Sequence, residues 1–292
     1  MTLPALAVAR SGFGGRGYKN PVTGDGRIVP SVTTILNAEA KPALVQWAVN
    51  QTAAYAVANL DQLMTRSEEV GYNYLRWYHN RKVDPDAADI DITNYHTGVL
   101  NDAAEQGTWI HEWIQADVVP GLDYPDMSGM NQFHWDMVEA WDKWKAGREI
   151  EPIWTETTVW NGEEGYAGTF DGMWKIDGVT YLMDIKSSRG VHNSAWMQLA
   201  ALRNAPEAFV PQADDSYIAV KDWQAPVEAV GVLHIRPRDI DNNGREMSPF
   251  CEWIDGHDEE HHLESFRGLL QYKNAQRALQ LAVKEREKNA KD

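Results

Sequence analysis

The stretch from Trp154 to Ser187 constrains this chain more than any other. Three strand-like runs, Trp154–Trp160, Tyr166–Ile176 and Val179–Ser187, are separated by two tight-turn dipeptides. The first is Asn161-Gly162, in a loop running to Gly165, and the second is Asp177-Gly178. Asn-Gly and Asp-Gly tolerate the left-handed backbone that close hairpins require. The spacing predicts a three-stranded antiparallel meander.

That meander carries chemistry. Asp171 ends Gly168-Thr169-Phe170-Asp171 on the second strand, and Asp184-Ile185-Lys186 lies on the third. Side chains alternate along a strand, so Asp184 and Lys186 face one side and Ile185 the other. With Asp177-Gly178 as the turn, Asp171 and Asp184 become cross-strand neighbours. Two adjacent carboxylates repel, and a divalent cation removes that penalty. Hard oxygen ligands favour magnesium or manganese. Lys186 beside the ion can position or deprotonate a water and stabilise charge on a phosphate. The ion polarises a phosphoryl oxygen and acidifies the water. Taken singly, Asp-X-Lys also fits a solvated strand face, and Asp171 a turn residue before Gly172. Their joint occurrence points to a site.

Upstream, Gly107-Thr108-Trp109-Ile110-His111 reads as helix, with Asp102 and Glu105 resembling a capping box at its start. Gly107 sits one turn before His111 and lets that helix approach a sheet closely. Alone, His111 also fits a hydrogen-bonded helix histidine. Residues 10–30 are rich in glycine and read as a loop or irregular hairpin around Tyr18 and Val29. No Gly-Lys-Ser/Thr follows them, which argues against a nucleotide-cradling loop. Ser31 caps a short helix through Leu36, and Ala43–Leu60 has apolar residues at helical spacing. Further helices are expected over Asn131–Lys145, Ser194–Asn204 and Asp258–Glu287, and further strands over Ser216–Val220 and Ala229–Arg236.

The ordered series Gly-Thr-X-X-His, Gly-Thr-Phe-Asp-Gly, Asp-Ile-Lys-Ser and then Gln198 on the next helix resembles the RecB-like branch of the PD-(D/E)XK nucleases. That branch includes CRISPR-associated and phage exonucleases. Pro30-Ser31-Val32-Thr33-Thr34-Ile35-Leu36, followed by Lys41-Pro42 and Trp47, is similar to the N-terminal region of the phage members. The resemblance spans residue 18 to the last strands and is most specific over 107–202. It implies an α/β restriction-endonuclease-like core with a mixed central sheet flanked by helices. Residues 1–100 would form an N-terminal loop and helical wall or lid, and 101–292 the nuclease core with its C-terminal helix, as one compact unit.

The resemblance also implies roles. His111, Asp171 and Asp184 match metal ligands, with the Ile185 backbone carbonyl as a further one. Lys186 matches the catalytic lysine and Gln198 the glutamine near metal and substrate. Glu156, on the preceding strand, is either a supporting or second-metal acid or a surface glutamate. The expected cofactor is Mg2+, with Mn2+ substituting. The expected partner is DNA, as a linear end or single strand, with a homo-oligomer or a recombination partner protein as further candidates. The implied activity is exonucleolytic, in phage recombination, replication or DNA degradation. The alternatives are a silent DNA-binding accessory protein and an endonuclease on the same fold. Two features depart from the pattern: Leu202 stands where a tyrosine is expected, and the four cysteines of an iron–sulfur cluster are absent.

Composition narrows the remaining classes. The chain of 292 residues has 27 basic and 43 acidic side chains, a net charge of −16, which argues against a protein that coats DNA nonspecifically. Its single cysteine, Cys251, reads as a small buried hydrophobe and excludes a disulfide framework or intrachain cluster. No run is long enough to span a membrane, and Leu3–Ala9 lacks the basic flank of a signal peptide, so a cytoplasmic setting is expected. Tyr72, Tyr74, Trp77 and Tyr78 alternate with Arg76, Arg81 and Lys82. These form either a stacking channel for DNA, with Trp77 and Arg76 as contacts, or an amphipathic helix that buries its rings. Arg189 either reaches a phosphate or is a solvated loop residue. His257, His261 and His262 among Asp258, Glu259 and Glu260 read as the acidic start of the last helix rather than a second metal site.

Overall fold

The computed structural model describes residues 6–8, 12–70, 95–212, 214, 216–240 and 244–290. The chain divides into two compact units, one of Met1–Glu39 with Gly107–Asp292 and one of Ala40–Gln106. The first is α/β and holds every strand described.

Its centre is a seven-stranded sheet. The strands are β4 (Ile150–Asn161), β5 (Tyr166–Ile176), β6 (Val179–Lys186), β7 (Glu207–Pro211), β8 (Tyr217–Lys221), β9 (Ala229–Arg236) and β12 (Phe250–Asp255), in the order β12-β9-β6-β5-β4-β7-β8. The sheet is mixed: β6 and β9 run parallel and the other neighbours antiparallel. The expected meander is β4-β5-β6. Its second turn uses Asp177 and Gly178, with φ of 50° and 90°, as a tight primed turn requires. Strands β7 and β12 were not expected. Strand β7 is short and flanked by Pro206, while β12 sends Cys251 and Trp253 to one core and Ile254 to the other, blurring the alternation.

A small sheet of β1 (Ala7–Val8), β2 (Gly17–Lys19) and β3 (Ile28–Pro30) precedes it, pairing Tyr18 with Val29. The bridge Ser31↔Ala167 joins this segment to β5. Ser31 Oγ accepts from Thr34 N at 3.0 Å and caps α1 (Val32–Leu36), as expected. The pair Asp239–Ile240 and Glu246–Met247, β10 and β11, forms a separate hairpin.

Two apolar clusters sandwich the sheet. On one face α1, α6 (Asn193–Arg203) and α7 (Glu259–Asn289) bury Leu199 and Phe266 with Phe170, Leu182 and Val232. On the other, α4 (Tyr95–Val118) and α5 (Gln132–Lys145) bury Ile110, Ile114, Met137 and Trp141 with Trp174, Met183 and Ile185. Each fully buried large side chain contributes about 2–3 kcal/mol of apolar transfer. Strand β6 shows the alternation directly, since Leu182 enters the first cluster and Met183 and Ile185 the second.

Helix α4 corrects one expectation. It runs unbroken through Asp102 and Glu105, so these are interior residues and not a capping box. Between Tyr95 and Asp102 there is no proline to force a start, and helix continues through Gly98 and the low-propensity residues beside it. Helix α4 contributes to both units. The second unit otherwise contains α2 (Pro42–Ala58) and α3 (Leu60–Val70), and α2 has no buried residue. The segment 71–94, with Trp77, Arg76 and their neighbours, lies outside the described residues. Among the described residues no helix is long and apolar enough to cross a membrane.

Candidate active site

The antiparallel register of β5 and β6 stops at Gly172↔Met183, and its next step sets Asp171 opposite Asp184. Both carboxylates open into a cleft of about 660 Å³ in the first unit. The cleft is also lined by His111, Glu156, Lys186 and Gln198. Six residues named from sequence therefore share one cavity, drawn from α4, β4, β5, β6 and α6. Helix α4 comes close because residue 107 is glycine: a Cβ there would stand 3.0 Å from Ser187 Oγ.

The contacts are specific. Asp171 Oδ2 accepts the backbone N–H of Ile185 at 2.7 Å and lies 3.5 Å from His111 Nδ1. Asp184 is buried; its Oδ1 accepts from Gln198 Nε2 at 3.0 Å. Its Oδ2 lies 2.5 Å from Lys186 Nζ, so the ammonium occupies that oxygen. Gln115, one turn beyond His111 and buried, donates to Glu156 Oε1 at 2.9 Å. Glu156 has φ 44°, the left-handed region that a non-glycine residue enters at a cost. Strain of that kind persists where surrounding structure imposes it, and here it lies opposite Asp171.

One ammonium, Lys186, serves two acids, Asp184 and Asp171, while Arg16 is the cation that acts on Glu156. Burial raises Asp184 to about 6, Lys186 opposes the rise and Asp171 adds to it. Burial also raises Asp171. Glu156 is exposed as a residue, yet its carboxyl lies in the cleft, where burial followed by repulsion from Asp171 raises it to about 7. His111 is lowered to about 4 by burial and by Lys186, which leaves a neutral imidazole. Burial alone would lower Lys186, but Asp184 and Asp171 outweigh it and hold the ammonium above its usual value. Lys186 is therefore charged. In that state it is suited to positioning a water and to stabilising charge on a phosphate.

Among the described residues, no group of three or more His, Cys, Asp or Glu stands ready-arranged to hold a metal ion. The local reason is that His111 and Asp171 face each other, while Gln198 and Lys186 occupy Asp184. The donor chemistry nevertheless fits a hard divalent cation. Three carboxylates with raised values share one cleft, and the imidazole beside them is neutral.

Other expectations fall elsewhere. Arg189 is tied to Asp239 through Nε at 3.0 Å and to the Ile240 carbonyl at 3.1 Å, so its guanidinium is engaged within the protein. Cys251 is half-buried, and burial raises its thiol. Leu202 is buried and lines the cleft beside Gly168, an aliphatic wall where the resemblance led us to expect a hydroxyl. Sequence reasoning missed Gln115 and Arg16. Gln115 was readable from its spacing of four after His111. Arg16 reaches the cleft from a glycine-rich turn that carries no signal for it.

No family model matches this chain, and no curated protein matches it. Among solved structures, the chain is similar to LHK-Exo in complex with dAMP, at 11% identity and a TM-score of 0.31, covering 65% of this chain and 88% of that one.

Proposed function

We propose that this chain is a metal-dependent DNA nuclease of the RecB-like type, with a restriction-endonuclease-like core and exonuclease action. The observation that carries this reading is the convergence of His111, Asp171, Asp184 and Lys186 in one cleft. Mg2+ is the proposed ion, with Mn2+ as substitute. His111, Asp171, Asp184 and the Ile185 carbonyl are the residues that would hold it. When bound, the ion supplies a polarised phosphoryl oxygen and an acidified water.

The chain's own groups do the rest. Attack forms a bond from water oxygen to phosphorus and breaks the bond to the leaving oxygen, the water's proton passing to solvent and the leaving oxygen taking one from solvent. Lys186 stabilises the negative charge that develops on the phosphoryl oxygens. Gln198 fixes Asp184, and Gln115 fixes Glu156. The setting proposed from the resemblance is phage recombination, replication or DNA breakdown.

Labelled linear DNA, incubated with and without Mg2+, tests the reading. Wild type is expected to release nucleotides only with the ion, and Lys186→Ala to release almost none. Cutting of closed circular DNA would instead show endonuclease action. Absence of cutting on every substrate would leave a DNA-binding protein on this fold.

A further inference from the structure

Strand β6 ends at Lys186, and the loop that follows is held from β9. His234 is the parallel-register partner of Lys186. Its Nε2 donates to the Ser188 carbonyl at 2.8 Å, and its Nδ1 lies 3.3 Å from Oε1 of Glu252, its cross-strand partner on β12. The edge of Phe250 packs on the ring at 5.1 Å. The His234 side chain is only 6% exposed, so it is unavailable to substrate. Two residues along β9, Arg236 donates to the Arg189 carbonyl at 3.2 Å. On its other side the loop leans on α4, where Ser187 Oγ fills the space over Gly107. The segment just past Lys186 is thus wedged between β9 and the helix that carries His111.

A buried polar ring that donates to a loop carbonyl is expensive to retain unless that bond matters. We infer that His234, backed by Glu252, is a positioning residue for Lys186: it fixes the backbone that follows Lys186 and so sets the ammonium against Asp184. This rests on the nuclease reading. His234 touches neither substrate nor reacting atoms.

The test combines kinetics with lysine labelling, using His234→Ala, His234→Gln, Glu252→Gln and the double variant His234→Ala/Lys186→Ala. His234→Ala is expected to lower kcat by roughly 10- to 100-fold, as small misplacements do, with KM for DNA changed much less. His234→Gln keeps an N–H for Ser188 and should recover most of the loss. The double variant should be no slower than Lys186→Ala alone, because both changes act through one group. Reductive methylation of Lys186, read by peptide mass, should be several-fold faster in His234→Ala than in wild type. Unchanged kcat in His234→Ala, or a double variant slower by the product of the single effects, would overturn the inference. Should His234→Ala fail to fold, Glu252→Gln carries the test, with a smaller loss of kcat and faster labelling expected. Should wild type cut no DNA, the nuclease reading fails by itself, and the labelling rates decide the positioning alone: unchanged rates overturn it.

Discussion

Glu156 combines a left-handed backbone, a raised carboxyl and a buried amide partner in one residue. Its sign in stability follows from linkage. An acid whose folded value is raised from 4.5 to about 7 binds its proton more tightly in the fold. It therefore costs nothing below the unfolded value and opposes folding increasingly as pH rises to about 7. In metal-free buffer, Glu156→Gln should raise the thermal midpoint slightly at pH 8, solvent screening reducing the effect, and leave it unchanged at pH 4, as removal of a functional liability does. An equal midpoint at pH 8 would show that Glu156 is not crowded. Lys186→Ala should lower kcat by about 10²–10³, the usual scale for losing a preorganised electrostatic partner. The site acids were legible because they fall in a hairpin whose turn fixes register. The backbone of Glu156 was not, because a left-handed residue inside a strand has no signature in a glutamate.

The elements most legible in the sequence are those with strong local chemistry. Asp177-Gly178 fixed β5 and β6, and Asn131 fixed the start of α5, where its side chain accepts from Phe133 N at 3.0 Å and His134 completes a capping box. Where the start of α4 was misread, the error came from finding a capping pattern inside a sequence that simply continues as helix. Strand β12 was missed because both its faces are used. Its packing gives a test: Gly231 on β9 lies under the Trp253 indole, which is pinned between Tyr181 and Trp144. Gly231→Ala should therefore destabilise by about 1–3 kcal/mol, the scale of overpacking, as read by chemical denaturation. The segment after β9 is locked by acids. Asp136 on α5 is lowered to about 2 chiefly by Arg238, and Asp239 to about 2 chiefly by Arg189. Depressed acids contribute stability that is complete above their unfolded value of 3.8 and lost as pH falls toward 2. Asp136→Asn should flatten that acid limb of the stability profile; an unchanged limb would assign it elsewhere.

At the scale of the molecule, the proposed DNA substrate would have to be bound by a chain with a net charge of −16. The cleft lining holds two cations, Arg16 and Lys186, against Glu112, Glu156, Asp171 and Asp184. Without bound cations it repels phosphate, so metal and DNA affinity should rise together. With about two phosphate contacts, raising salt from about 50 to 200 mM should weaken binding only about 10-fold. A much steeper loss, read by fluorescence anisotropy, would place basic contacts beyond the cleft. The most direct test of the whole account is nucleotide release from labelled linear DNA by wild type and Lys186→Ala, each in Mg2+ and in EDTA. The account predicts release by wild type in Mg2+ alone; equal release in EDTA, or by Lys186→Ala, would contradict it.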